Sequence, residues 1–219
     1  MKSVNIVAMA RWCPPPKRMK GDIFSINNSH AVWERAGLTY KPDLIIALDD
    51  LKRDVKHFPQ YVSEIVDSGY PVYNTHNSRK WPTVKAYPLE KVWKVFHDKR
   101  LYDNSVNYAF MLAMTEQYEK ISFWGTDFVR PYDGKLLRSA RLRWTEKGMP
   151  DVPDWFKYYD EMNVYWRGPG EPGWESFHTL LGMAIHKGVE MEWHPRSSIM
   201  NSDRKPFFYG YTEQPDVDL

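Results

Sequence analysis

Five apolar residues in a row, Leu44-Ile45-Ile46-Ala47-Leu48, stop abruptly at Asp49-Asp50. A strand with one wet face alternates apolar and polar residues; a run that is apolar at every position is buried on both faces, as in the middle of a parallel sheet. Similar short runs recur along the chain. Val4 to Met9 leads into Arg11-Trp12-Cys13 and three prolines, which cannot continue a strand. Asp22 to Asn27 alternates weakly and ends at Asn27-Asn28, and Pro71-Val72-Tyr73, Ile121 to Trp124 and Val189 to Trp193 complete the set.

Helical periodicity fills the gaps between these runs. Val55, Phe58, Val62, Ile65 and Val66 share a face between Asp54 and Ser68, with Gly69 as the stop and Pro59 disturbing the start. Pro88 to Phe96 reads as a short helix. From Asn104 to Tyr118 the residues Val106 and Tyr108 through Met114 are apolar nearly all round, so that helix must be sandwiched, with Asn104 or Ser105 as its N-cap. Phe177, Leu180, Leu181, Ala184 and Ile185 mark a last helical face before Gly188. Strands alternating with helices predict an α/β fold: a Rossmann-like, doubly wound, mostly parallel sheet. Residues 1–128 and 174–203 form the expected core, 129–173 an inserted lid rich in basic, aromatic and proline residues, and 204–219 a tail.

A length of 219 residues fits one domain with an insertion. The formal charge of +2 is too small to point to nucleic acid or a membrane surface by itself. Cys13 is the single cysteine, which excludes an internal disulfide and a thiolate metal cluster. No stretch approaches the roughly 18 apolar residues of a membrane span, and the N-terminus lacks signal-peptide features. A cytoplasmic protein with no membrane partner is the expectation.

The segment YPLEKVWKVF followed by LYDNSVNYAFMLAMTEQYEKISFWGTDF resembles the centre of the bacterial sialyltransferase-like fold. That fold is shared with motility-associated glycosyltransferases, pterin diphosphokinase-like proteins and phage proteins. A polar N-cap pair opens a buried helix, which leads into a strand closed by Gly-x-Asp-Phe, here Gly125 to Phe128. INNSHAVWERAGLTYKPDLIIALDD is similar to the family's Asn-bearing second strand and the strand after it, and GWESFHTLLGMAIHKGVEMEWHPRSSIM to its final helix and strand. Where the family carries a glycine-rich loop after the first strand, this chain has Ala8-Met9-Ala10-Arg11-Trp12-Cys13-Pro14, with Arg11 as the candidate substitute for the phosphate contact.

Ligands of open α/β sheets bind beyond the carboxyl ends of the strands. Asn27 and Asn28 at such an end either contact a base, ribose or phosphate or cap the following turn. Asn104 and Ser105 either offer a helix N-terminus to a nucleotide phosphate or merely cap it. Asp49 and Asp50 are a candidate divalent-metal site, or a solvated turn. The resemblance implies a nucleotide sugar as donor, Gly125 among the nucleotide-binding positions, Asp127 positioning donor or acceptor, and a catalytic base near the lid's return, where His178 or Glu175 falls. Such a base takes the proton of an acceptor hydroxyl. The acceptor is open, with a hydroxylated nucleobase one class and the lid's basic residues Arg130, Lys135, Arg138, Arg141, Arg143 and Lys147 the reason to consider nucleic acid. A metal-dependent diphosphokinase-like enzyme using ATP and a non-catalytic nucleotide- or nucleic-acid-binding protein are the alternatives. Gly168 to Gly173 spells G-x-G-x-x-G, but Pro169 and Pro172 remove N–H donors and Glu171 and Glu175 repel an anion, so it reads as a hinge.

Overall fold

The computed structural model describes residues 1–9, 13–126, 172–195 and 197. Its strands are β1 Ser3–Val7, β2 Asp22–Ile26, β3 Leu44–Ile46, β4 Val72–Asn74, β5 Val84–Ala86, β6 Lys120–Trp124 and β7 Glu190–Trp193. They form one seven-stranded sheet in the order β5-β4-β3-β2-β1-β6-β7. Every pairing is parallel. The helices are α1 Ser29–Arg35, α2 Leu51–His57, α3 Pro59–Val66, α4 Leu89–Trp93, α5 Ser105–Thr115 and α6 Pro172–His186, with a 3-10 turn at Lys99–Leu101.

Because side chains alternate along a strand, each strand feeds two layers. Val4, Ile6, Phe24, Ile26, Leu44, Ile46, Ile121 and Phe123 face α4, α5 and α6 in the larger core. Ile45, Ala47, Val72 and Val84 face α2 and α3, while Val7, Ile23 and Trp124 enclose Trp33 of α1. The all-apolar α5 is sandwiched as its composition requires, with Ala109 through Met114 all buried. Phe110, Phe123 and Phe177 are fully buried, and their ring centroids lie 5.0 to 5.5 Å apart, which ties β6, α5 and α6 together. Burying each such ring contributes about 1.5–3 kcal/mol.

The structure departs from the sequence expectation in three places. The helix expected between Asp54 and Ser68 is a pair, α2 and α3, because the Asp50 carboxylate accepts from the N–H groups of Lys52 and Arg53 to start the first, and Pro59 occupies the first turn of the second. Helix α1 is an addition: its first residues, Ser29 and His30, are polar yet buried, which hides the apolar period. Strand β5 is three residues long with one buried side chain, too little to read as a strand. The sheet is parallel throughout the described residues. Lid residues 129–171, the tail 204–219, Arg11 and Asp127 lie outside the described residues.

Candidate functional site

Parallel strands put every carboxyl end on one rim. Strand order reverses at β1, which has β2 on one side and β6 on the other, and such a switch point is where open α/β sheets leave a crevice. Helix α5 ends just before β6, where the Glu119 N–H donates to the Lys2 carbonyl at the amino ends of the strands (2.8 Å), so its N-terminus lies at the carboxyl rim. Helix α6 leads into β7 in the same sense, with the Glu190 N–H donating to the Glu119 carbonyl (2.8 Å).

The floor at the switch point is tightly built. The Ala8 N–H donates to the Trp124 carbonyl (2.8 Å), Trp33 Nε1 donates to the Ala8 carbonyl (2.7 Å), and the Gly125 N–H donates to the Cys13 carbonyl (2.5 Å). Gly125 has φ of +59°, and a Cβ there would run into the Ala8 carbonyl. Only glycine fits. The chain after β1 is therefore held by an indole and two backbone bonds in place of a glycine-rich turn.

Asn27 and Asn28 close β2. Asn27 has φ of +54°, a left-handed conformation that asparagine tolerates better than most residues, and its N–H donates to the Ile46 carbonyl (2.9 Å). Asn28 occupies the N-cap position of α1 without a capping bond from its side chain. Instead its Nδ2 donates to Glu64 Oε2 of α3 (2.7 Å). Both Asn side-chain carbonyl oxygens are buried and have no partner among the described residues. Below them a polar web fills the space between β2 and α1. Ser29 Oγ donates to the Val7 carbonyl (2.7 Å) and lies 2.7 Å from Ser25 Oγ and 3.0 Å from the Tyr40 hydroxyl. His30 Nε2 sits 3.0 Å from the Glu64 carbonyl, which only accepts, so the proton is on Nε2. Burial lowers the His30 pKa and pushes the Tyr40 hydroxyl up to about 12, so both stay neutral at pH 7.

Asp49 and Asp50 follow β3, and each carboxylate is already engaged: Asp49 Oδ2 accepts from the Tyr61 hydroxyl (2.6 Å), and Asp50 caps α2. Both residues are exposed. Among the described residues no group of three or more His, Cys, Asp or Glu side chains could hold a metal ion. Beside them, past β4, opens a cleft of about 400 Å³ lined by Asp50, Asn74, Thr75, His76, Ser78 and Trp81, among others. Apart from Asp50, sequence reasoning missed these residues, although Asn74-Thr75-His76-Asn77-Ser78 is a polar run directly after a strand. Asn74 holds the cleft's wall by donating to the carbonyls of Ala47 and Asp49. In the strand order β2 and β3 separate β4 from β1, so the cleft stands to one side of the switch point.

Asn104 caps α5 as its sequence requires: its backbone is extended and its Oδ1 accepts from the Asn107 N–H (3.0 Å). Ser105 is the first helical residue and is half-buried. Asn107 Nδ2 donates to Ser176 Oγ across to α6 (2.7 Å), which fixes the two helix starts side by side. His178 follows on α6, half-buried, its ring 6.0 Å from that of Phe177. Glu175 falls on the first turns of α6, and its side chain lies outside the described residues. Asn27, Asn28, Asp49, Asp50, Asn104, Ser105 and Gly125 thus all lie along the carboxyl rim.

A doubly wound parallel sheet with a switch point at β1 and polar strand tips has the architecture of nucleotide-binding α/β proteins. No family model matches the chain, and no curated protein matches it by sequence. Solved structures share the fold: the sialyltransferase CstII from Campylobacter jejuni in complex with a substrate analogue, CMP-3FNeuAc, is 14% identical with a TM-score of 0.50. A single-substitution variant of the sialyltransferase Cst-II in complex with CMP is 14% identical with a TM-score of 0.51. Both alignments cover 92% of this chain and 84% of the other. The chain has a sialyltransferase-like fold. No helix among the described residues is long and apolar enough to cross a membrane.

Proposed function

We propose that this chain is a glycosyltransferase-like enzyme that binds a nucleotide-activated sugar along the carboxyl rim and transfers the sugar to a hydroxyl. The observation that carries the reading is the placement, along one carboxyl rim of a sialyltransferase-like sheet, of the Asn27-Asn28 tip, the α5 N-terminus and, to one side, a cleft walled by amide, hydroxyl and indole groups. Each suits a different part of such a donor. The N–H groups at the start of α5, with Ser105, suit the phosphate, since the helix dipole and unpaired donors favour an anion. Asn27 and Asn28 suit the nucleoside. The cleft suits a polyhydroxylated ring, which meets the hydroxyls of Thr75 and Ser78 and lays its apolar face on Trp81, while Asn74 holds the wall.

In the transfer, the acceptor oxygen bonds to the anomeric carbon while the carbon–phosphate-oxygen bond breaks and the nucleotide leaves with the bonding electrons. The acceptor's proton goes to His178 or Glu175. Asp127 positions donor or acceptor, Arg11 supplies the charged phosphate contact that the missing glycine-rich loop would have shared, and Gly125 lets the end of β6 close on the Ala8 carbonyl to form the floor under the nucleotide. Asp49 and Asp50 serve in this reading as the Tyr61 partner and the α2 cap, and no step is routed through a metal ion.

Incubation with a panel of nucleotide sugars, with and without hydroxylated nucleosides as acceptors, tests the reading. The expected result is a thermal shift with a subset of donors and slow donor hydrolysis that persists in EDTA. Absence of both with every donor would falsify it.

A further inference from the structure

Asn27 and Asn28 are consecutive, and each buries a side-chain carbonyl oxygen with no hydrogen-bond partner among the described residues. Asn28 is 1% exposed. A buried acceptor left unpaired destabilises the fold, so two of them adjacent at a strand end call for donors that the described residues do not supply. The orientation of the Asn28 amide is fixed by chemistry. Its two ends have nearly the same shape, but its neighbour Glu64 Oε2, at 2.7 Å, is a carboxylate that only accepts, so the NH2 must face Glu64 and the carbonyl must face away. Glu64 is itself clamped: Arg35 Nη1 lies 2.5 Å from Oε1, Arg35 Nη2 3.4 Å from Oε2, and Gln60 Nε2 donates to Oε1 at 3.0 Å. Arg35 supplies the compensating charge for this inward-facing carboxylate between α1 and α3.

We propose that Glu64 is a positioning residue which, through Asn28, makes the β2 tip a pair of acceptors that select the hydrogen-bond donors of a nucleoside. The proposal rests on the nucleotide reading above and deepens it, because it gives the rim a direction. A phosphate offers oxygen lone pairs and is repelled by two carbonyl oxygens, so the nucleoside end lies over β2 and the phosphate over α5. The donors come either from an exocyclic amine on the base or from the ribose hydroxyls.

Titration calorimetry on the full chain with CMP, UMP and 2′-deoxy-CMP distinguishes these sources. If the acceptors meet the amine, UMP binds more weakly than CMP by on the order of ten- to a hundredfold; if they meet the ribose, 2′-deoxy-CMP shows the loss. Glu64→Leu frees the Asn28 amide and is expected to erase whichever preference the native chain shows, and Glu64→Gln to reduce it partway, because a neutral amide can face Asn28 in either sense. NMR of the ligand-free protein reads the tether directly, as a protected Asn28 side-chain NH2 that loses protection in Glu64→Leu. Should Glu64→Leu fail to fold, Glu64→Gln carries the test. A folded Glu64 variant with the native preference, or an unprotected Asn28 NH2 in a chain that still binds nucleotide, overturns the role of Glu64 alone. A protected NH2 in a chain that binds none of the three nucleotides overturns the nucleotide reading of the site and the recognition role with it.

Discussion

The two faces of the sheet are built from different materials. Toward α4, α5 and α6, the β1, β2, β3 and β6 residues that meet the helices are hydrocarbon or aromatic throughout. Toward α1 and α3, the strands set Asn5, Ser25 and Ser122 among the apolar Val7, Ile23, Ile45 and Trp124, and α1 adds Ser29 and His30. A polar interior gives less stability per residue than an apolar one, because each hydrogen bond made inside replaces one made to water. What it gives in exchange is direction. The apolar face holds the sheet together, and the polar face holds the β2 tip in a defined geometry.

The contrast can be broken most severely on the apolar side. Phe110→Ala removes a ring packed against Phe123 and Phe177 and is expected to cost about 3–5 kcal/mol in urea denaturation, with any surviving folded fraction still showing the native ligand preference. On the polar side Ser29→Ala strips the Val7 carbonyl and the Tyr40 hydroxyl of a partner, for a smaller loss of about 1–3 kcal/mol. There the loss of nucleotide affinity is expected to outrun the loss of stability, and equal losses in both variants would erase the distinction between the faces. Asp50→Ala, which removes the cap of α2, is expected to cost about 1 kcal/mol and to leave donor hydrolysis in EDTA unchanged.

The smallest effect at neutral pH is also the sharpest. The folded pKa of His30 lies below its unfolded value of 6.5, so the unfolded chain takes up the proton first. Its contribution to stability is therefore complete above pH 6.5 and is lost as the pH falls through that value toward the folded pKa. His30→Asn is expected to flatten the acid limb of a stability-against-pH curve, and an unchanged limb would show that protonation elsewhere sets it. Tyr40, with its pKa raised to about 12, acts in the opposite direction: its contribution is lost as the pH rises from 10 toward 12.

These contrasts also explain which parts of the molecule are legible in the sequence. Leu44 to Leu48 and the helix from Asn104 to Tyr118 are readable because burial on all sides leaves an unbroken apolar record. Helix α1 is not, because the side chains that bury it, Ser29 and His30, are satisfied by a carbonyl of β1 and a carbonyl of α3 that only the tertiary fold brings near. For the same reason Asn27 and Asn28 can be picked out as a strand tip, while Glu64, 36 residues beyond Asn28, cannot be connected to it. Asp50 is legible as a polar residue after a strand but its capping of α2 is not, since Pro59 draws the helix start toward later residues. The Asn74 to Ser78 run follows a strand just as Asn27 does, and only its cleft sets it apart.

Unanimous strand direction also divides the labour between the two ends of the molecule. The turns at Asp67 to Pro71, Gln117 to Glu119 and Lys187 to Val189 all sit at the end opposite the rim, where Gly69 and Gly188 reverse the chain with nothing within 4 Å of where a side chain would begin. A dye, an affinity handle or a surface tether on a residue beside Gly69, whose left-handed backbone keeps the glycine itself in place, thus has a whole sheet's length between it and the carboxyl rim, and the protein comes with a place to hold it by.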